Sequence, residues 1–287
     1  MRAGRLERMH FNFDFTAVQI IWTLTFAAHL VLLVVLLGRD RARRFRWFTI
    51  SIALVALRLL SSRLLYNRMP QLTLGEIFVV LADISVIVSL LVLLELARRT
   101  FGSARRRLSI AWILAFLIIG GVVVTTWGHW PAWKTLTPMT KMVFLNLLQL
   151  FAQKGGLLVD VLTVLLGILM VSIGSHYRAG WRTHTQRIMI GLSTASLAQL
   201  AVQIIWQIIA KTAKPHSMAE YQHIVDLREK LFNANSVVYL AVVIWWIACL
   251  WIDEPGSETA DILVPVGPLD PLLEDSARVE PPQDPHA

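Results

Sequence analysis

The chain has 287 residues, of which 56% are hydrophobic and 16% charged, and its mean hydropathy is +0.60. Soluble domains carry roughly a quarter of charged residues, and a soluble chain could not cover this much apolar surface. The net charge of +8 raises nucleic acid as a partner, but the placement of the arginines, taken up below, argues against it.

Seven apolar stretches reach the ~20 residues that a helix needs to cross the hydrocarbon: about 15–37, 46–66, 74–97, 108–128, 141–173, 186–210 and 231–252. Helices are expected because every backbone amide inside lipid must be bonded within its own segment. The short alternating strands of a barrel are absent. The sequence therefore predicts an all-α, polytopic seven-transmembrane-helix bundle over 15–252. A short extracytoplasmic tail over 1–14 precedes it. The first run is too long for a signal-peptide core and no small-residue cleavage site follows, so it reads as an uncleaved span.

Three turns between spans are rich in arginine. They hold Arg39, Arg41, Arg43, Arg44 and Arg46; then Arg98, Arg99, Arg105, Arg106 and Arg107; then Arg178, Arg182 and Arg187. The alternate turns are much poorer. This is the positive-inside pattern. It predicts a cytoplasmic C-terminus, an outside N-terminus and a bacterial cytoplasmic membrane, with the basic turns on anionic headgroups and no nucleic-acid partner. Arg2, Arg5 and Arg8 oppose this orientation and are outweighed by the first inner turn. Trp22, Trp127, Trp130, Trp133 and Trp206 fall near the outer surface, and Trp47, Trp112 and Trp251 near the inner one, as amphipathic rings prefer. The segment Trp127–Trp133 reads as an interfacial loop, or as an aromatic lid.

Within the second and third spans, Arg58 and Asp83 each lie ~13 Å below the outer surface by helical rise. A short loop joins the two spans, so an Arg58–Asp83 ion pair is expected, either as a register device or as part of a ligand site. Glu76 is placed to meet Arg63 or Arg68. The third span ends in Leu93-Leu94-Glu95-Leu96-Ala97-Arg98-Arg99-Thr100-Phe101. With the basic start of the second span and the seven-span plan, this resembles a group of uncharacterised bacterial seven-helix proteins. The resemblance implies a fold and a membrane, and no activity. Glu95 is expected to pair locally with Arg98 or Arg99.

The fifth span carries Asn146, Gln149, Gln153 and Asp160 on one narrow arc, and the sixth carries Ser196, Gln199, Gln203 and Gln207 on a similar arc. The two spans run in opposite directions, so Gln149 should match Gln203 in depth and Gln153 should match Gln199. Two readings stand: an inter-helix hydrogen-bond ladder, or the wall of a hydrated cavity. Lys154 is the deepest lysine in any span. It either snorkels or pairs with Asp160. Gly155-Gly156 beside it suits close packing or a bend. His29 is the histidine nearest the bilayer centre and lacks a second at its depth, so haem is not expected. Asn233, Asn235 and Tyr239 head the last span and either join a cavity or cap that helix. A helical turn or two around Met218–Lys230 is expected before it.

Cys249 is the single cysteine, so no internal disulfide or cysteine metal cluster can form. No metal, phosphate-loop or nucleophile motif occurs, and no lipidation signal. No cofactor, metal or catalytic residue is assigned. Residues 253–287 are acidic and proline-rich and read as a disordered cytoplasmic tail. The leading expectation is a receptor-like or sensory protein with an outer polar pocket for a small ligand, formed by Arg58, Asp83, Gln149, Gln153, Gln199 and Gln203. The alternatives are a structural or accessory subunit, packed against a membrane or cytoplasmic protein partner, and a small transporter.

Overall fold

A computed structural model describes residues 17–65, 68–101, 110–128, 130, 140–176, 183–213 and 217–252. The expectations for the tails at 1–14 and 253–287, for Arg105, Arg106, Arg107, Arg178 and Arg182, and for Trp133 lie outside those residues. The described architecture is all-helical: α1 (Ala17–Gly38), α2 (Arg41–Arg44), α3 (Arg46–Leu65), α4 (Gln71–Phe101), α5 (Ile110–Thr126), α6 (Lys141–His176), α7 (His184–Thr212) and α8 (Met218–Trp251). Six of them, α1, α3, α4, α6, α7 and α8, are long and apolar enough to cross a membrane. This marks a multi-pass membrane protein. As described, α5 has 17 residues, or ~25 Å of rise, and falls short of that length.

The six long helices close into a ring. α1 packs on α3 and α8, α3 on α4, α4 on α6, α6 on α7, and α7 on α8. α5 joins from outside, where Gly120 lets it approach Leu158 and Leu162 of α6. α4 and α6 run in the same direction. Glu76 pairs with Lys141 at 2.7 Å near their starts, Val86 packs on Gly155 further along, and Thr100 meets Met170 near their ends. Glu76 is therefore joined to α6, not to Arg63 or Arg68. At Gly155 a Cβ would strike the Val86 side chain, so the small residue sets how near the two backbones come.

The ring has two unlike halves. At the arginine-rich end, Leu36, Phe45, Phe48, Leu96, Ile188, Met189, Trp246 and Leu250 form a buried apolar plug. Phe48 and Trp246 meet edge-on with ring centres 5.2 Å apart, the arrangement that aromatic quadrupoles favour. A Cβ on Gly191 would collide with the Trp246 indole, so glycine is what lets the ring lie against α7.

Polar groups close this end by satisfying helix termini. The Glu95 carboxylate accepts hydrogen bonds from the backbone N–H groups of Arg46 (3.1 Å), Trp47 (3.1 Å) and Phe48 (3.4 Å). These are orphan donors in the first turn of α3, supplied with an anion from α4. The expected local partner is present too, since Arg99 reaches Glu95 at 3.4 Å. At the last turn of α8, the guanidinium of Arg187 donates to Cys249 O (3.1 Å) and that of Arg41 to Ile252 O (3.2 Å). Cations suit that terminus.

α8 corrects the expected break before the last span. Residues 218–230 and 231–251 form one helix of 34 residues. Neither glycine nor proline interrupts it, and Ser217 caps it by accepting from the Glu220 N–H at 3.2 Å. Ser217-Met218-Ala219-Glu220 is a capping-box pattern.

Candidate functional site

At the other end the ring does not fill. The faces of α3, α4, α6 and α7 turned inward there carry small and polar side chains beside Phe78, Val79, Val86 and Val159, and they leave a cavity of about 550 Å³. Arg58 enters from α3, Ser85 and Ser89 from α4, Gln149, Gln153 and Asp160 from α6, and Gln199 from α7. The lining of α4 recurs at Phe78, Ala82, Ser85 and Ser89, and that of α6 at Gln149, Gln153, Gly156 and Asp160. Both follow a helical repeat of three or four.

A second chamber of about 350 Å³ lies deeper, against the plug. Phe48, Ile52 and Trp246 border it on the apolar side, and Ser51, Thr163, Ser196, Asn235 and Tyr239 supply polar atoms. Ser89, Val159, Asp160 and Gln199 belong to both linings, so the two chambers meet there. Together they fall in the size range of small-molecule sites.

Hydrogen bonds fix much of the wall. Asn235 Nδ2 donates to Gln199 Oε1 at 2.6 Å, tying α8 to α7. Ser196 of α7 stands beside the Asp160 side chain of α6. Behind Tyr239 stands His29, which is fully buried. His29 Nδ1 lies 2.6 Å from Thr25 O, and Nε2 lies 2.9 Å from the Tyr239 hydroxyl. A carbonyl can only accept, so Nδ1 carries the proton, and in the neutral ring Nε2 accepts from Tyr239. The histidine is thus a bonded core residue that fixes the Tyr239 ring in the cavity wall. Tyr239→Phe keeps the ring contact and leaves Nε2 buried without a donor. It is expected to lower stability by about 1–3 kcal/mol, read from the unfolding midpoint in detergent; an unchanged midpoint would show that the bond contributes nothing.

Of the six residues expected from sequence, Arg58, Gln149, Gln153 and Gln199 share the larger chamber, and Asp83 and Gln203 do not line it. The expected Arg58–Asp83 ion pair is not formed. Asp83 is buried, and both carboxylate oxygens lack a hydrogen-bond partner among the described residues. α4 lines the cavity through Phe78, Val79, Ala82, Ser85, Val86 and Ser89, and Asp83, 100° of turn on from Ala82, is not among those residues. Lys154 is likewise not paired with Asp160. Its ammonium donates to the carbonyls of Val124 (3.3 Å) and Trp127 at the end of α5, and lies 4.7 Å from the Trp130 ring centre. Asn235 and Tyr239 join the wall, while Asn233 does not.

Sequence reasoning passed over Ser51, Ser85 and Ser89. Their signal was the spacing of four between Ser85 and Ser89 and of seven between Ser51 and Arg58, within otherwise apolar helices. Among the described residues no group of three His, Cys, Asp or Glu side chains comes together as a metal site would require. No protein-family model, curated protein or solved structure matches the chain.

Proposed function

We propose that the protein is a receptor-like, seven-helix protein of a bacterial cytoplasmic membrane, with its N-terminus outside, its C-terminus in the cytoplasm and its polar cavity facing outward to take a small soluble ligand. α5 is the seventh crossing. α4 and α6 run in parallel, so the chain between Phe101 and Lys141 must return across the bundle, and α5 is the described helix on that path. The end of α8 lies beside the turn after α1, as the Arg41 bond to Ile252 requires. The start of α1 and the end of α8 then lie on opposite faces, in keeping with an odd number of crossings. The basic residues 39–46, 98–99 and 187 gather at one end, and the positive-inside rule assigns that end to the cytoplasm.

One observation carries the reading: Arg58, Gln149, Gln153 and Gln199, from three helices, line one cavity at the end opposite the arginines. A bundle in which polar groups serve only as glue would pair them all off, whereas here Gln199 bonds to Asn235 and, among the described residues, Arg58, Gln149 and Gln153 have no such bond. The apolar plug favours a receptor over a channel, which would need a polar path through that half. A ligand seated across α3, α4, α6 and α7 would act on the spacing of those helices, and so on the basic inner turns that contact anionic lipid. In nanodiscs, pooled amino acids, sugars, organic acids and nucleosides are screened for a rise in unfolding temperature. At least one pool is expected to stabilise the natural protein and to leave the double variant Gln149→Leu/Gln153→Leu unchanged. No stabilising pool, or equal stabilisation of both, would overturn the reading.

A further inference from the structure

The chemistry of the cavity also narrows what it takes; this rests on the reading above. Two groups of opposite formal charge face the same space. Arg58 carries a guanidinium that stays protonated, and among the described residues no hydrogen bond or ion pair engages it. Asp160 stands beside Ser196 and lies where the two chambers meet.

The packing contacts place them at different depths. Glu95 bonds at Trp47, so Arg58, eleven positions further along α3, lies level with residue 84 of the oppositely directed α4. Val86 meets Gly155, so that level corresponds to residue 153 of the parallel α6. Asp160 is seven residues deeper, ~10 Å along the axis. The pair is therefore too far apart to be a closed salt bridge at the backbone level, and Gln149, Gln153, Ser85 and Ser89 occupy the stretch around them.

We infer that the cavity binds a small zwitterion, with its anionic group on Arg58 and its cationic group on Asp160. A simple anion would neutralise Arg58 and leave a carboxylate deeper in the same cavity without a cation. A simple amine would leave Arg58 in the converse position. Uncompensated charge at such depth is costly, and one molecule carrying both signs satisfies both groups. The amides and serine hydroxyls, which donate and accept alike, suit the polar atoms between.

The test uses the full chain in nanodiscs, with Ser89→Cys as a reporter at the junction of the chambers and Cys249→Ser removing the natural thiol. A small water-soluble thiol reagent is expected to label Ser89→Cys. Glycine, γ-aminobutyrate and ε-aminocaproate are then tried as protectants, against butyrate and butylamine alone. At least one zwitterion is expected to slow labelling roughly tenfold at a concentration ten times its dissociation constant, and neither single-charge compound to match it. Arg58→Gln and Asp160→Asn are each expected to abolish the protection, and Arg58→Lys, which keeps the charge, to retain it in part. Absence of labelling would defeat the hydrated cavity itself. Labelling without protection by any zwitterion, equal protection by butyrate or butylamine, or protection that survives Asp160→Asn would defeat the zwitterion and leave the cavity standing.

Discussion

Replacing Glu95 by alanine is expected to lower the unfolding free energy by about 2–4 kcal/mol. A hydrogen bond to a charged group contributes about 1.5–3 kcal/mol and loss of a helix N-cap costs about 0.5–2 kcal/mol; here one carboxylate serves three backbone N–H groups of α3. The side chain is 10% exposed, so water cannot readily take its place. Glu95→Gln keeps an acceptor and should lose about half as much. Arg99→Ala removes the half-exposed partner alone and should cost under about 1 kcal/mol, as exposed ion pairs do. Denaturant unfolding in detergent orders the three variants; a Glu95→Ala midpoint equal to that of Arg99→Ala would show that the cap is idle.

Trp246→Ala is expected to cost about 3–5 kcal/mol, the range for removing a large buried aromatic. The indole is 1% exposed, meets Phe48 edge-on and separates the deeper chamber from the plug below it. Gly191→Val attacks the same contact from the other side. A Cβ there already collides with the indole, and overpacking of this kind costs about 1–3 kcal/mol. The double variant Gly191→Val/Trp246→Ala should be less destabilised than the sum of the two single changes, because the valine fills part of the space that the indole leaves. A strictly additive result would show that the two positions do not share one contact.

Except at the start of α8, the apolar runs gave helix positions to within a few residues, because length and hydropathy govern spans regardless of partners. The amide stripes were legible for a similar reason. Gln149, Gln153 and Gln199 lie on a helical repeat, and polar groups in a membrane bundle turn inward. What periodicity lacks is the rotation of one helix against its neighbour. Arg58 and Asp83 have matching depths, yet one residue's difference along α4 is 100° of turn, enough to leave Asp83 out of the cavity that Ala82 and Ser85 line with Arg58. Glu95 shows the same limit. Its local arginine was visible, but its duty to a helix start nearly fifty residues upstream depends on how α3 and α4 pack. Lys154 and Glu76 were given neighbours in sequence, whereas their partners came from α5 and α6. The long α8 was signalled by Ser217 and Glu220, and the polar stretch after them obscured it because a helix that leaves the bilayer need not stay apolar.

The central claim is a polar compartment open on the face opposite the arginine-rich turns. It is tested most directly with a membrane-impermeant thiol reagent on intact cells, against Gln153→Cys and Arg43→Cys, each in the Cys249→Ser background. Gln153→Cys should label from outside without disruption of the membrane, and Arg43→Cys only after the cells are permeabilised. Labelling of Arg43→Cys from outside, or failure of Gln153→Cys to label under either condition, would contradict the account.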